Sequence, residues 1–323
     1  MKGACNMKYI FVINPKAGPK NATADIKNML ERSNRSDSCE YYVTKCANDA
    51  ASYVSKYADD HYNEELCFVA CGGDGTLNEV ATGAVGHKNA AVAVFPVGSG
   101  NDFVKYFGGK EAFLDVDALF EGCPEDIDIL KIDDRYSVNV CNFGFDTTVA
   151  DTMQKVKRYP IIGGSNAYYC GIAKALMTSM KNRCKIYADG KLLNPSGKIL
   201  LCTLANGSHV GGSFNCAPRS DCTDGLIEVC VVDPIHLPKF LKLLPFYERG
   251  THLDAPEFEG ILTYTRAKSV RIEAPEGFRI SLDGELAAKN EVTVECLNRA
   301  VRLMIPRGAH KANRTAAHEA VNA

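Results

Sequence analysis

The chain has 323 residues, 46% hydrophobic and 24% charged, with 37 Lys and Arg against 39 Asp and Glu for a formal net charge of −2. At about 150 residues per domain this length gives roughly two domains with cores of their own, which excludes a disulfide-stapled miniprotein. The even charge balance carries no footprint of a nucleic-acid partner. In chain order, short strands are predicted at 8–13, 40–44, 66–70 and 91–95, alternating with helices at 21–31, 48–58 and 76–84. Strands of this length separated by helices of about ten residues imply β-α-β units and a parallel sheet of the nucleotide-binding kind. After Asp126 the rhythm changes. Strands are predicted at 127–132 and 136–142, then a helical stretch between Asp146 and Met180, then mostly strands to Pro306 with a short helix near 238–244. Asp189-Gly190, Asp224-Gly225 and Asp283-Gly284 punctuate these strands as turns. The expected fold class is therefore α/β followed by β, with a Rossmann-like nucleotide domain at 1–126, a β-sandwich at 127–301 and a flexible polar tail at 309–323.

The longest apolar runs, such as 199–205, fall far short of the roughly 18 residues that cross a bilayer. Near the N-terminus, the apolar run 9–13 stops at Asn14-Pro15, too short for a secretory signal core. The expected location is the cytoplasm. The 14 cysteines are scattered, with no C-x-x-C pair and no zinc spacing. They read as reduced thiols, several of them (Cys67, Cys71, Cys202, Cys230) packed as small apolar groups.

The strongest local signal is Cys71-Gly72-Gly73-Asp74-Gly75-Thr76-Leu77-Asn78-Glu79, directly between a strand and a helix. Glycines at a strand end let backbone N–H groups approach a phosphate, and the helix N-terminus adds partial positive charge. A tight strand-to-helix turn would use the same glycines. Two further loops end strands of the same sheet: Asn14-Pro15-Lys16-Ala17-Gly18, and Pro96-Val97-Gly98-Ser99-Gly100-Asn101-Asp102-Phe103. Ligands of open α/β sheets bind outside the carboxyl ends of the strands, so three such loops on one edge converge into a nucleotide site. Asp74 lies between glycines in the cradle, where a bare carboxylate would repel phosphates; Mg²⁺ is the natural neutraliser.

These motifs, together with Gly144-Phe145-Asp146, Asp221-Cys222-Thr223-Asp224-Gly225 and Asp283-Gly284-Glu285, run in order over residues 8–307. In that order they resemble the diacylglycerol kinase catalytic-domain family of bacterial lipid kinases, relatives of sphingosine and ceramide kinases. The resemblance implies a phosphofructokinase-like N-terminal domain rejoined by residues 302–308, ATP and Mg²⁺ as cofactors, and diacylglycerol as phosphoryl acceptor. It implies ATP contacts at Asn14, Pro15, Lys16, Ala17, Gly18 and Thr44, along Gly72, Gly73, Asp74, Gly75, Thr76, Leu77, Asn78 and Glu79, and at Gly98, Ser99 and Asn101. Position 99 is more often Thr in the family; Ser keeps the hydroxyl.

By its residues alone, Asp283-Gly284-Glu285 is a hairpin turn with a solvated Glu; the resemblance makes Glu285 the general base, with Asp283 as helper or rival. It also implies a second Mg²⁺ held by Asp221, Asp224 and the Leu226 carbonyl, against the alternative of a metal-free Asp-rich turn. Residues 153–198 hold nine Lys and Arg against one acid, Asp189, with Tyr159-Pro160-Ile161-Ile162 and Tyr168-Tyr169 beside them. A basic, aromatic segment in a chain of net charge −2 suits peripheral docking on an anionic membrane, where the lipid substrate resides. Other acceptors on the same scaffold are a sphingoid base, a ceramide-like lipid, phosphatidylglycerol or, more distantly, NAD. A reading from another class is a nucleotide-binding regulatory protein without catalysis, against which the retained Asp74, Asp283 and Glu285 stand. Members of the family are often homodimers, and nothing in this sequence requires or forbids that.

Overall fold

Parallel strands covered on both faces read as unbroken apolar runs, and three such runs open this chain. The computed structural model describes residues 7–18, 20–33, 38–156, 172 and 174–311. Its strands are β1 (Lys8–Ile13), β2 (Cys39–Val43), β3 (Leu66–Gly72), β4 (Ala90–Pro96), β5 (Cys123–Ile132), β6 (Arg135–Ser137), β7 (Val140–Gly144), β8 (Asn182–Arg183) and β9 (Lys185–Ala188). These are followed by β10 (Lys191–Leu192), β11 (Lys198–Ile199), β12 (Leu201–Ala205), β13 (Ile227–Val232), β14 (Leu262–Ala267), β15 (Ser269–Glu273), β16 (Arg279–Leu282), β17 (Glu285–Ala288) and β18 (Glu291–Ile305). The helices are α1 (Thr23–Arg32), α2 (Asp49–Asp60), α3 (Asp74–Ala84), α4 (Val116–Phe120), α5 (Phe145–Val156) and α6 (Leu237–Arg249). The chain packs as two units: Met1–Ile129 with Asn298–Ala323, and Leu130–Leu297. The sequence reading placed these divisions at 126 and 302.

In unit 1 the sheet order is β2-β1-β3-β4-β18, with every neighbouring pair parallel. β1, β3 and β4 are buried throughout, apart from Lys8. Tyr9, Phe11 and Ile13 of β1 and Cys67 and Val69 of β3 pack with Ile26 and Leu30 of α1 and Leu119 and Phe120 of α4. From β1 the chain moves to β2 on one side and then to β3 on the other, so the order reverses between β1 and β3. Register aligns Ile13 with Cys71 and Gly72 with Pro96. The loops after β1, β3 and β4 therefore leave one edge at one level.

In unit 2 the order β14-β13-β12-β7-β16-β17 forms an antiparallel sheet. Strand alternation sends Cys141, Phe143, Cys202, Leu204, Ile280 and Leu282 to one face, where they meet Ile186, Val270, Ile272, Val292 and Val294 of the sheet containing β9, β15 and the start of β18. This is a sandwich core. The opposite face of the six-stranded sheet presents Val140, Leu201, Ala205 and Cys230 to Phe145 and Val149 of α5 and to Phe240 and Tyr247 of α6. All 12 cysteines among the described residues are free thiols.

Three elements depart from the sequence reading. The strand expected at 136–142 breaks between β6 and β7, because the Asp283 carboxylate takes the N–H groups of Val138, Asn139 and Val140. The helix expected near 238–244 runs on to Arg249 through Pro245. Pro245 is tolerated there because it lies on the exposed side, where water can satisfy the carbonyl one turn back. Within the stretch 146–180, α5 ends at Val156 and residues 174–178 are helical again; the remainder, and the tail beyond 311, lie outside the described residues.

A Cβ on Gly83 of α3 would stand 2.5 Å from the Ala51 carbonyl oxygen and 2.8 Å from the Val54 Cβ of α2. Helix propensity alone favours Ala over Gly by about 1 kcal/mol, yet overpacking costs about 1–3 kcal/mol. Gly83→Ala is therefore expected to lower stability in urea unfolding, whereas a gain would show that α2 and α3 can separate at no cost.

Candidate active site

The three loops of unit 1 meet at the switch point between β1 and β3. Asn14 donates its backbone N–H to the Cys71 carbonyl at 3.0 Å and its Nδ2 to Thr76 Oγ1 at 3.0 Å. Its Oδ1 accepts the Lys16 N–H at 3.0 Å, which shapes the turn through Pro15, Lys16 and Ala17. The Gly98 N–H donates to the Gly72 carbonyl at 3.0 Å. A Cβ on Gly98 would lie 2.3 Å from Gly73 Cα, and one on Gly18 would lie 2.2 Å from the Val97 oxygen. The loops touch backbone to backbone, which side chains would prevent.

Asn101, at φ 49°, donates Nδ2 to the Gly98 carbonyl at 2.8 Å and to the Pro96 carbonyl at 3.3 Å. Its Oδ1 is buried and accepts no hydrogen bond among the described residues. That leaves an acceptor beside the cradle formed by Gly73 and Gly98. Helix α3 starts at Asp74, so its first N–H groups have no intrahelical acceptor, and Gly75 faces open space. Ser99 is exposed, and the Thr44 N–H joins the end of β2 to the Ile13 carbonyl at 2.9 Å. Leu77 and Glu79 do other work: Leu77 is a core side chain, and Glu79 Oε2 accepts the Ala50 N–H at 3.2 Å, bracing the start of α2.

Asp74 Oδ1 accepts the Phe103 N–H at 3.0 Å. Its Oδ2 and the Oδ2 of Asp102 flank Gly100, 3.2 Å and 3.6 Å from where a Cβ would stand. Burial, and then the Asp102 carboxylate, push the Asp74 pKa up. Asp102 is also paired with Lys105. A carboxylate whose ionisation is made costly beside a phosphate cradle fits a divalent cation, which would relieve it. Sequence reasoning passed over Asp102; its position directly after Asn101 in the third loop was the available signal.

In unit 2, Asp283 (φ 47°) and Gly284 (φ 87°) form the two-residue turn between β16 and β17, with both residues at positive φ as such hairpins require. Asp283 Oδ1 accepts the N–H groups of Asn139 at 3.2 Å and Val140 at 2.8 Å, and Oδ2 accepts that of Val138 at 2.9 Å. A carboxylate held by three backbone donors is a clamp, a structural role beside the one expected of it as helper or rival base. Glu285 is different: Arg135 Nη2 donates to its Oε2 at 2.7 Å, its Oε1 takes no hydrogen bond among the described residues, and the side chain is 46% exposed. Arg135, unmarked in the sequence, orients this carboxylate.

At the second metal site implied for Asp221, Asp224 and Leu226, the two carboxylates shape the turn before β13. Asp221 Oδ1 accepts from the N–H and Oγ1 of Thr223 at 3.1 Å and 2.7 Å. Asp224 Oδ1 accepts the Leu226 N–H at 3.0 Å, and Oδ2 accepts from Arg266 at 3.2 Å. Arg266 lies beside Asp224 and also reaches Glu228, yet burial and the Asp221 charge still push the Asp224 carboxyl up. Behind the same sheet, Asp146 is buried with Tyr247 as partner, its Oδ2 unpaired, and burial pushes its pKa up to about 7. At the start of α5, Gly144, Thr147, Thr148, Asp151, Phe278 and Arg279 help line a pocket of about 220 Å³.

Residues 8–132 match the family model of the diacylglycerol kinase catalytic domain, and residues 139–305 that of the YegS C-terminal NAD kinase beta sandwich-like domain. The diacylglycerol kinase of Bacillus subtilis (strain 168) is 27% identical over 302 residues, 92% of this chain and 96% of that one. A probable lipid kinase YegS-like of Alcanivorax borkumensis is 25% identical over 269 residues, 82% of this chain and 86% of that one. The crystal structure of a diacylglycerol kinase from Bacillus anthracis str. Sterne superposes with a TM-score of 0.70 at 22% identity, covering 92% of this chain and 96% of that one. The last similarity is one of fold.

Asp283→Ala leaves three backbone donors of the β6–β7 connection unpaired, so a loss of about 2–4 kcal/mol is expected in urea unfolding; unchanged stability would refute the clamp. Asp146 makes a second prediction. Its carboxyl, lifted to about 7 in the fold from about 3.9 in the unfolded chain, holds in the native state a proton that the unfolded chain has released. Its stabilising contribution is complete below about pH 4 and is lost as the pH rises through about 7. Asp146→Asn should therefore gain on the wild type in melting temperature from pH 4 upward, levelling off above about pH 8. A constant difference across that range would mean the carboxyl is not titrating.

Proposed function

Given that the chain belongs to the diacylglycerol kinase-like family of lipid kinases, we propose that it transfers the γ-phosphoryl group of ATP to the hydroxyl of diacylglycerol, giving phosphatidic acid. The observation that carries the donor half is the backbone cradle of Gly73, Gly98 and Gly18 at the start of α3. Diacylglycerol as acceptor is supported by the names of the relatives.

Asn14, Lys16, Gly18, Thr44, the turn from Gly72 to Thr76, Gly98, Ser99 and Asn101 bind the nucleotide, with N–H groups on the phosphates and the free Asn101 Oδ1 accepting from a nucleotide hydroxyl or a bound water. Asp74 and Asp102 would hold Mg²⁺, which would supply charge neutralisation of the transferring phosphoryl group. Glu285 Oε1 takes the proton of the acceptor hydroxyl as the new O–P bond forms and the bond to ADP breaks. Arg135 keeps the other oxygen fixed, and Asp283 holds the turn from which Glu285 projects. Little basicity is required, because the hydroxyl proton leaves late in a loose transition state.

The chain acts peripherally at the cytoplasmic face of an anionic membrane. Basic residues of 153–198 are part of this reading, of which Lys157, Arg158 and the Tyr-Ile cluster lie outside the described residues, and Lys155 is paired with Asp151. No helix among the described residues is long and apolar enough to cross a membrane. A second lipid acceptor is favoured by one observation, the YegS-type match of the C-terminal half.

Purified protein with ATP and Mg²⁺ in mixed micelles is expected to turn over with diacylglycerol, and not with sphingosine, ceramide, phosphatidylglycerol or NAD. Glu285→Gln should lower kcat by about 10²–10⁴-fold at an unchanged melting temperature. Turnover with another lipid alone replaces the acceptor; nucleotide binding with no turnover on any acceptor establishes the regulatory reading instead.

A further inference from the structure

Among the described residues six large apolar side chains are exposed, and three of them, Met177, Leu237 and Leu241, belong to one helical layer. Exposed apolar residues scattered singly need no explanation, but Leu237 and Leu241 stand one turn apart on one helix, and Met177 belongs to a segment that packs into the same core. The layer covers the outer face of the six-stranded sheet. Phe240 and Tyr247 of α6 and Ala175, with Ile172, Leu176 and Met180 beside it, pack into the same core.

Helix α6 is two-faced. Phe240, Leu243 and Tyr247 point into the unit, while Leu237 and Leu241, one turn apart, are 44% and 54% exposed. Pro238, Lys242, Pro245 and Arg249 are exposed as well. Three of the four charged side chains on the helix are cationic, Lys239, Lys242 and Arg249, with Glu248 the exception. On the neighbouring segment, Met177 is 86% exposed between Lys174 and Lys181, both also exposed. None of these five cations forms an ion pair among the described residues.

A second copy docking through this same face would meet the same cations and be repelled by them. An anionic bilayer accepts both features at once, since leucines enter the acyl boundary while lysines stay at the headgroups.

We propose that the outer face of Leu237–Arg249, with Met177 and its flanking lysines, docks on the surface of an anionic phospholipid bilayer. The inference deepens the lipid-kinase reading and rests on it for why such a chain would visit a bilayer. It assigns the contact to a helix that the sequence left unmarked.

The test is co-sedimentation of the full chain with vesicles of phosphatidylcholine, with and without phosphatidylglycerol, for wild type, Leu237→Gln/Leu241→Gln and Lys242→Glu/Arg249→Glu. Because the altered side chains are exposed, circular dichroism and melting temperature should match the wild type. The wild type is expected to prefer anionic vesicles, and the Leu pair to lose about tenfold or more in binding. The charge-reversed pair should lose the preference for phosphatidylglycerol and the sensitivity to salt. A short-chain diacylglycerol dissolved as monomers should be phosphorylated equally by all three proteins. Wild-type binding by both variants would overturn the proposal, as would a change of oligomeric state with vesicle binding intact. If no monomeric diacylglycerol is phosphorylated while both variants still lose the vesicles, the docking surface stands and the acceptor assignment falls.

Discussion

Everything that unit 1 can offer a ligand depends on how closely its backbones approach at one edge of the sheet. Gly98 lies on Gly73, and Gly18 lies on the Val97 carbonyl, each at a distance that a single Cβ would forbid. Parallel register brings the three strand ends level, and the reversal of order between β1 and β3 opens room beyond them. Asn14 then ties the first loop to the second through Thr76. The site is thus mostly main chain, and its side chains serve largely to keep that main chain in place.

Aspartates and glutamates show how environment sets the work of one chemical group. Burial and the neighbouring Asp102, itself paired with Lys105, make ionisation of Asp74 costly, which prepares a place for a cation. Asp224 is likewise pushed up by burial, with Arg266 beside it. Asp283 is saturated by backbone donors, and Asp146 is buried where ionisation is costly. Glu285, by contrast with these aspartates, combines a fixed orientation with an oxygen left available. Its usefulness comes from Arg135, 150 positions away in the chain.

The helices over the six-stranded sheet carry a further division of labour. Their inner faces complete a core, as any amphipathic helix must, and the same residues that stabilise α6 leave Leu237 and Leu241 outside. A helix that served stability alone would place polar side chains there.

Local pattern was enough for much of this protein. Unbroken apolar runs at β1, β3 and β4, and the Gly-rich loops after them, mark the parallel sheet and its binding edge in the sequence, because burial on both faces and close backbone approach each leave a residue-type signature. The Asp283-Gly284 and Asp189-Gly190 turns are legible for the same reason, since their geometry selects those residues. Tertiary structure alone decided what those carboxylates touch. The clamp of Asp283 on Val138, Asn139 and Val140, the hold of Arg135 on Glu285, and the pairing of Arg266 with Asp224 each join residues more than 40 positions apart. Secondary-structure periodicity reports only on neighbours within a few residues, so pairings of that span appear only when sheet register brings the strands together.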